Sequence, residues 1–123
     1  MQQINTGAKK EITTQLTKNL LDMIILEFLN KKAMHGYEII TSIRKDYGIN
    51  FGPSTIYPLL SLLEKKGHLQ GDWDMTTERP RKVYKLTESG KNILAYSENA
   101  LVSFCKNFSL SINHATYVTS FQT

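Results

Sequence analysis

Between Glu11 and Asn30 apolar residues recur with a helical period, and the stripe they make is unusually wide. Leu16, Leu20, Ile24 and Phe28 fall at i, i+4 steps, and Met23, Ile25, Leu26 and Leu29 widen the stripe. A helix this apolar is predicted to be covered on more than one side, so the chain must wrap other elements around it. Its most apolar stretch, Leu20 to Leu29, is broken by Asp22 and Glu27 and is far too short to span a bilayer.

The remainder supplies the covering elements. A second helix is expected from near Gly36, with Tyr37, Ile40, Ile43 and Tyr47 on one face and Gly48 as its stop. After Phe51-Gly52-Pro53, Ser54 or Thr55 is predicted to cap a third helix that runs to about Lys66 and ends at Gly67. With Ser54 as cap, Pro58 is the fourth helical residue and removes only the first intrahelical bond. Residues 68–75 and 81–86 read as the strands of a β-hairpin around the polar turn Thr76-Thr77-Glu78-Arg79-Pro80. Thr87 then caps a last helix in which Leu94, Leu101 and Phe108 are spaced by heptads, as are Ser97, Phe104 and Ser111.

The order helix, helix, helix, hairpin, helix describes a mainly α fold with a small β-hairpin, a winged helix-turn-helix followed by a further helix. The division expected is a flexible arm over 1–10, the winged domain over 11–87, a C-terminal helix over 88–112 and a tail over 113–123. A chain of 123 residues has room for about one domain and one modest core. Its 41% hydrophobic and 21% charged residues fit a folded chain and not a disordered one. The first ten residues lack the apolar core of a secretory signal, and Cys105 has no second cysteine to pair with, so a cytoplasmic protein without disulfides is expected.

The formal charge of +4 suits an anionic partner without demanding one. Placement says more. On the third helix Ile56, Leu59, Leu60 and Leu63 point inward, while Ser54, Pro58, Ser61 and Lys65 lie opposite, flanked by Thr55 and Tyr57. Small hydroxyl residues and one lysine can enter a major groove and bond phosphates or base edges; the same face could equally be plain solvated surface. At the hairpin, Arg79, Arg81 and Lys82 surround Pro80, where a projecting ribbon reaches phosphates or a minor groove, unless these charges only keep an edge soluble. One duplex could touch both places, which favours double-stranded DNA as the partner.

Catalysis finds no support. His35, His68 and His114 form no His-x-x-x-His pattern, and no glycine-rich phosphate loop or nucleophile elbow is present. Asp72 and Asp74 share a strand face, but two carboxylates do not make a metal site. Cys105 in an apolar seam reads as a small hydrophobe. No cofactor or metal is expected.

His35-Gly36-Tyr37-Glu38-Ile39, Pro53-Ser54-Thr55-Ile56-Tyr57-Pro58-Leu59-Leu60, Leu62-Leu63-Glu64-Lys65-Lys66-Gly67 and Pro80-Arg81-Lys82-Val83-Tyr84-Lys85-Leu86-Thr87-Glu88-Ser89-Gly90 together resemble the PadR-like transcriptional regulators. The resemblance spans about residues 16–95. It implies a homodimeric regulator, usually a repressor, that binds operator DNA and pairs through its first and last helices. On that reading Leu16, Leu20, Leu94, Leu101, Phe104 and Phe108 form the dimer interface. Ser54, Thr55, Tyr57, Ser61 and Lys65 meet the major groove, and Arg79, Arg81 and Lys82 meet the flanking backbone or minor groove. Tyr37 either contacts phosphate or sits in the core, His35 is structural or faces phosphate, and Tyr84 belongs to the core. The dimer implies an inverted-repeat operator, read largely through DNA shape because the helix offers no outward Arg, Asn or Gln. Some family members stack flat aromatic ligands on a tryptophan of the last helix; here the sole tryptophan, Trp73, lies on the hairpin, so any small-molecule effector is of unknown kind. The alternatives are a winged-helix module that binds protein and a non-specific architectural DNA binder.

Overall fold

A computed structural model of the chain describes residues 5–108. Five helices and three short strands follow in the order α1 (Thr6–Asn19), α2 (Leu21–Lys31), β1 (Met34–His35), α3 (Gly36–Tyr47), α4 (Pro53–Lys65), β2 (Leu69–Asp74), β3 (Arg81–Leu86) and α5 (Glu88–Asn107). The mainly α fold with a β wing expected from the sequence is the fold found. The 113–123 tail and Ser111 lie outside the described residues.

Three local expectations need correction. The long first helix is two helices, broken at Leu20, whose φ of −102° and ψ of 13° leave the helical region. The apolar stripe continues through the break, so periodicity alone does not reveal it. The arm assigned to residues 1–10 is helical from Thr6, because the Asn5 side chain accepts from the Ala8 N–H at 2.7 Å and starts α1. The third helix starts earlier than its hydroxyl residues suggested. Gly52 is its N-cap and Pro53 its first residue, where the missing N–H costs nothing. Pro58 is therefore the sixth helical residue, and the Ser54 carbonyl loses its intrahelical donor.

Other boundaries follow the local chemistry. Gly48 ends α3 in the left-handed region at φ 72°, which favours glycine. Thr87 caps α5 by accepting from the Gly90 N–H at 3.0 Å, and its hydroxyl donates to the Gly67 carbonyl at 2.6 Å. That pair of bonds ties the start of α5 to the end of α4.

The core is one cluster. Ile25 and Leu26 of α2, Ile39 and Ile43 of α3, and Ile56, Leu60 and Leu63 of α4 are almost fully buried. The antiparallel sheet, ordered β1-β3-β2, closes one side. Its register sets Met34 opposite Tyr84 and Leu69 opposite Leu86, so Met34, Leu69 and the expected core residue Tyr84 are buried against the helices. The two-residue strand β1 has no sequence signal of its own; it exists because the chain entering α3 runs beside β3. Leu94 of α5 also joins this core.

Helix α1 differs from the rest. Of its residues only Thr17 is buried, and Ile12 and Leu16 remain exposed, with Leu20 beside them. Its apolar side has no partner within the chain's described residues.

Candidate nucleic-acid interface

Helix α4 is buried along Ile56, Leu60 and Leu63, so its opposite side faces out. Ser54, Tyr57, Pro58, Ser61 and Lys65 are exposed there, and Thr55 is half-buried at the margin. Lys65 sits in the last turn, where a cation suits the helix dipole.

The start of α3 packs directly beside this face. The Tyr57 ring occupies the space that a side chain at Gly36 would need: an ideal Cβ there would lie 2.5 Å from Cε1. Tyr37, the next residue, is 65% exposed, which places it outside the core. His35 is the N-cap. Its Nδ1 accepts from the Glu38 N–H at 3.3 Å while the Glu38 carboxylate accepts from the His35 N–H at 3.2 Å, a closed capping box. The His35 Nε2 lies 3.2 Å from Glu38 Oε1 and 3.1 Å from Nη1 of Arg81 on the wing, the tautomer setting the role of that nitrogen in each contact. His35 is thus structural.

The wing presents Arg79 and Arg81 as exposed cations. Lys82 does not join them. Its Nζ donates to Glu64 Oε1 of α4 at 2.8 Å, and that bond holds the Glu64 carboxyl below the ordinary glutamate range and the lysine above its own. Placing Lys82 with the free cations missed this long-range partner. Asp74 is likewise engaged locally: its carboxylate accepts from the Thr76 hydroxyl and N–H, which lowers its pKa. Among the described residues no group of three or more His, Cys, Asp or Glu could hold a metal ion.

The expected interface residues divide. Leu94 is only 4% exposed and packs into the chain's own core, so it is not part of an open seam. The first turns of α5 lean on α2, and the later turns run past the globule. There Phe104 is 62% exposed, and Phe108 is exposed with its ring centroid 5.5 Å from that of Phe104. Two apolar grooves border α5, one of about 550 Å³ against α2 and the end of α4 and one of about 590 Å³ against α1 and α2. Leu20 and Leu101 line both, Leu16 one and Phe104 the other. The second also holds the carboxylates of Glu27 and Glu98, Tyr47 and Cys105. Burial first, then a hydrogen bond to Glu27 and its charge, push the Glu98 carboxyl above its usual range.

The sequence profile described as the "Transcriptional regulator PadR-like family" matches residues 25–96, which include the α3, α4 and wing elements just described. The chain belongs to this family. A PadR family transcriptional regulator from Eggerthella lenta superposes with a TM-score of 0.75 at 29% identity, over 84% of this chain and 90% of that one. Bacillus subtilis PadR, in complex with operator DNA, superposes with a TM-score of 0.57 at 30% identity, over 62% of this chain and 45% of that one. The transcriptional activator GvpE of Haloferax mediterranei is 31% identical over 103 residues, which are 82% of this chain. This PadR-like chain spans about half the length of that relative. PadR-like proteins are transcriptional regulators. Among the described residues no helix is long and apolar enough to cross a membrane.

Proposed function

We propose that this PadR-like regulator binds operator DNA as a homodimer and represses transcription, with α4 in the major groove and the wing on the flanking backbone or minor groove. One observation carries the reading: the Tyr57–Gly36 contact joins the exposed hydroxyl and lysine face of α4 to the start of α3, and the Arg81 guanidinium of the wing lies 3.1 Å from His35 at that same start. Ser54, Thr55, Tyr57, Ser61 and Lys65 supply the groove contacts, Arg79 and Arg81 the flanking ones, and Tyr37 a phosphate contact at the start of α3. The B. subtilis relative seen with operator DNA supports the same partner.

A second copy is the occupant that fits the α1–α5 side. Leu16, Leu20, Leu101, Phe104 and Phe108 leave apolar surface open on two helices that do not meet each other's needs within one chain. Pairing along α5 fixes the distance between two α4 helices, so the operator is an inverted repeat with half-sites about one helical turn or a multiple apart. An effector would act by changing the angle between the paired helices.

Fluorescence anisotropy with the duplex upstream of the protein's own coding sequence, beside a shuffled duplex, tests this. Preferential binding to the native duplex is expected. Equal binding to both indicates an architectural DNA binder, and salt-insensitive binding to a protein with no duplex affinity indicates a protein-interaction module.

A further inference from the structure

Glu64 makes contacts that the stability of α4 does not require. It sits near the C-terminal end of α4, on the side turned to the sheet. Oε1 accepts from Lys82 of β3 at 2.8 Å and Oε2 accepts from the Gly71 N–H of β2 at 3.0 Å. One carboxylate therefore holds both strands of the wing. β2 is an edge strand, so its outward N–H groups have no strand partner, and Glu64 satisfies one of them. Gly71 leaves open the space that the lysine crosses. A Cβ there would meet the Lys82 Cε and approach Glu64 Oε2 at 3.1 Å, so the lysine, flexible enough to shift, now crosses the bare backbone to reach the carboxylate. The pair is about 30% exposed on each side, and the Lys82 ammonium also lies 5.6 Å from the Tyr84 ring centroid. Elsewhere the hairpin is held at its base by the pairing of β3 with β1 and at Arg81 by His35, while its outward half, with Trp73 and Met75, is exposed.

We propose that Glu64, with Lys82 and Gly71, is the positioning residue that sets the direction of the wing relative to α4, and so decides which flanking segment of a bound duplex Arg79 and Arg81 can reach. This rests on the DNA-binding reading above. The bonds themselves carry no sequence information. They turn two separate DNA contacts, helix and wing tip, into a rigid pair with a fixed span, which is what preorganised recognition needs.

The test uses the full chain with Cys105→Ser and spin labels at Lys66→Cys and Glu78→Cys, one near the end of α4 and one on the wing loop. The distance distribution between the labels is measured with Glu64 intact, with Glu64→Gln, with Lys82→Met and with the charge swap Glu64→Lys/Lys82→Glu. Hydroxyl-radical footprints are taken in parallel on a duplex that the wild-type protein selects from a random pool. We expect the distribution to broaden in both single variants and to narrow again in part in the swap, which restores the ion pair but not the bond to the Gly71 N–H. Protection at the flanks should fade while protection at the half-site centre persists, and the preference for the selected duplex over a shuffled one should fall by about tenfold, the scale of one lost base-pair contact. Thermal unfolding of each variant separates this from loss of folding, since a merely destabilised protein loses centre and flank protection together. Unchanged distributions, or flank protection that survives a broadened distribution, would overturn the proposal. If the wild-type protein selects no duplex, the DNA-binding reading fails, and the distance distributions alone decide whether Glu64 fixes the wing.

Discussion

The Tyr57 ring stands where a side chain at Gly36 would have to be, so the exposed face of α4 and the first turn of α3 are held in contact by the absence of one methyl group. Gly36→Ala should force the ring aside. The loss of stability should be about 1–3 kcal/mol, the usual cost of overpacking, read from the urea midpoint. Truncating the ring as well, in Gly36→Ala/Tyr57→Ala, should cost less than the sum of the two single changes, because the ring is what the new methyl meets. Strict additivity would show that the contact is not what makes Gly36 necessary.

The surface cations should separate by their engagement. Lys65→Ala and Arg79→Ala should each weaken binding to every duplex and lower the salt slope of log K by about one. Lys82→Met should lower that slope only indirectly, through the flank contacts that Arg79 and Arg81 lose, because Glu64 already neutralises its ammonium. Anisotropy titrations at several salt concentrations give all three slopes.

Two apolar residues on α5 should behave oppositely. Leu94→Ala removes a core side chain and should cost about 2–5 kcal/mol of stability. Phe104→Glu touches no core and should leave unfolding of the single chain nearly unchanged while shifting the protein from dimer to monomer in sedimentation velocity. A Phe104→Glu protein that sediments as a dimer would remove the later turns of α5 from the interface.

Glu98 should make stability depend on pH. Burial and the Glu27 carboxylate raise its pKa on folding, so the folded chain holds the proton more tightly than the unfolded chain does. That contribution is fully present below the ordinary glutamate range and is lost as pH rises through the raised value. Glu98→Gln should therefore be more stable than the wild type at neutral pH, with the advantage shrinking on acidification. Thermal unfolding of both proteins between about pH 3 and pH 7 brackets the ordinary carboxylate range and checks the sign.

Features written in short stretches of chain were legible in the sequence. Gly48 marks the end of α3 and Thr87 the start of α5 because capping needs only neighbouring atoms, and the inward set Ile56, Leu60 and Leu63 follows from helical period alone. Features decided across the chain were not. The break at Leu20 interrupts the backbone without interrupting the apolar stripe, and β1 owes its existence to β3, far along the sequence. Leu94 and Leu101 share a heptad position, yet one is buried against α2 and the other borders open grooves, a distinction set by where α5 leaves the globule. Lys82 reads as a free cation until Glu64, on a different element, is placed beside it. One local signal does mark the true start of α4: Pro53 after Gly52 places the cap at Gly52, two residues before Ser54.

The central claim is that the outward face of α4 enters DNA. Reversing that face, with Ser61→Glu and Lys65→Glu together, leaves the buried side of the helix untouched. Anisotropy of the wild-type protein and this variant on the same duplex, at matched salt and with unfolding curves to confirm equal folding, is the most direct measurement. Tight, salt-dependent binding by the wild type and its loss in the variant is the predicted result. A folded variant that binds the duplex as tightly as the wild type would contradict it.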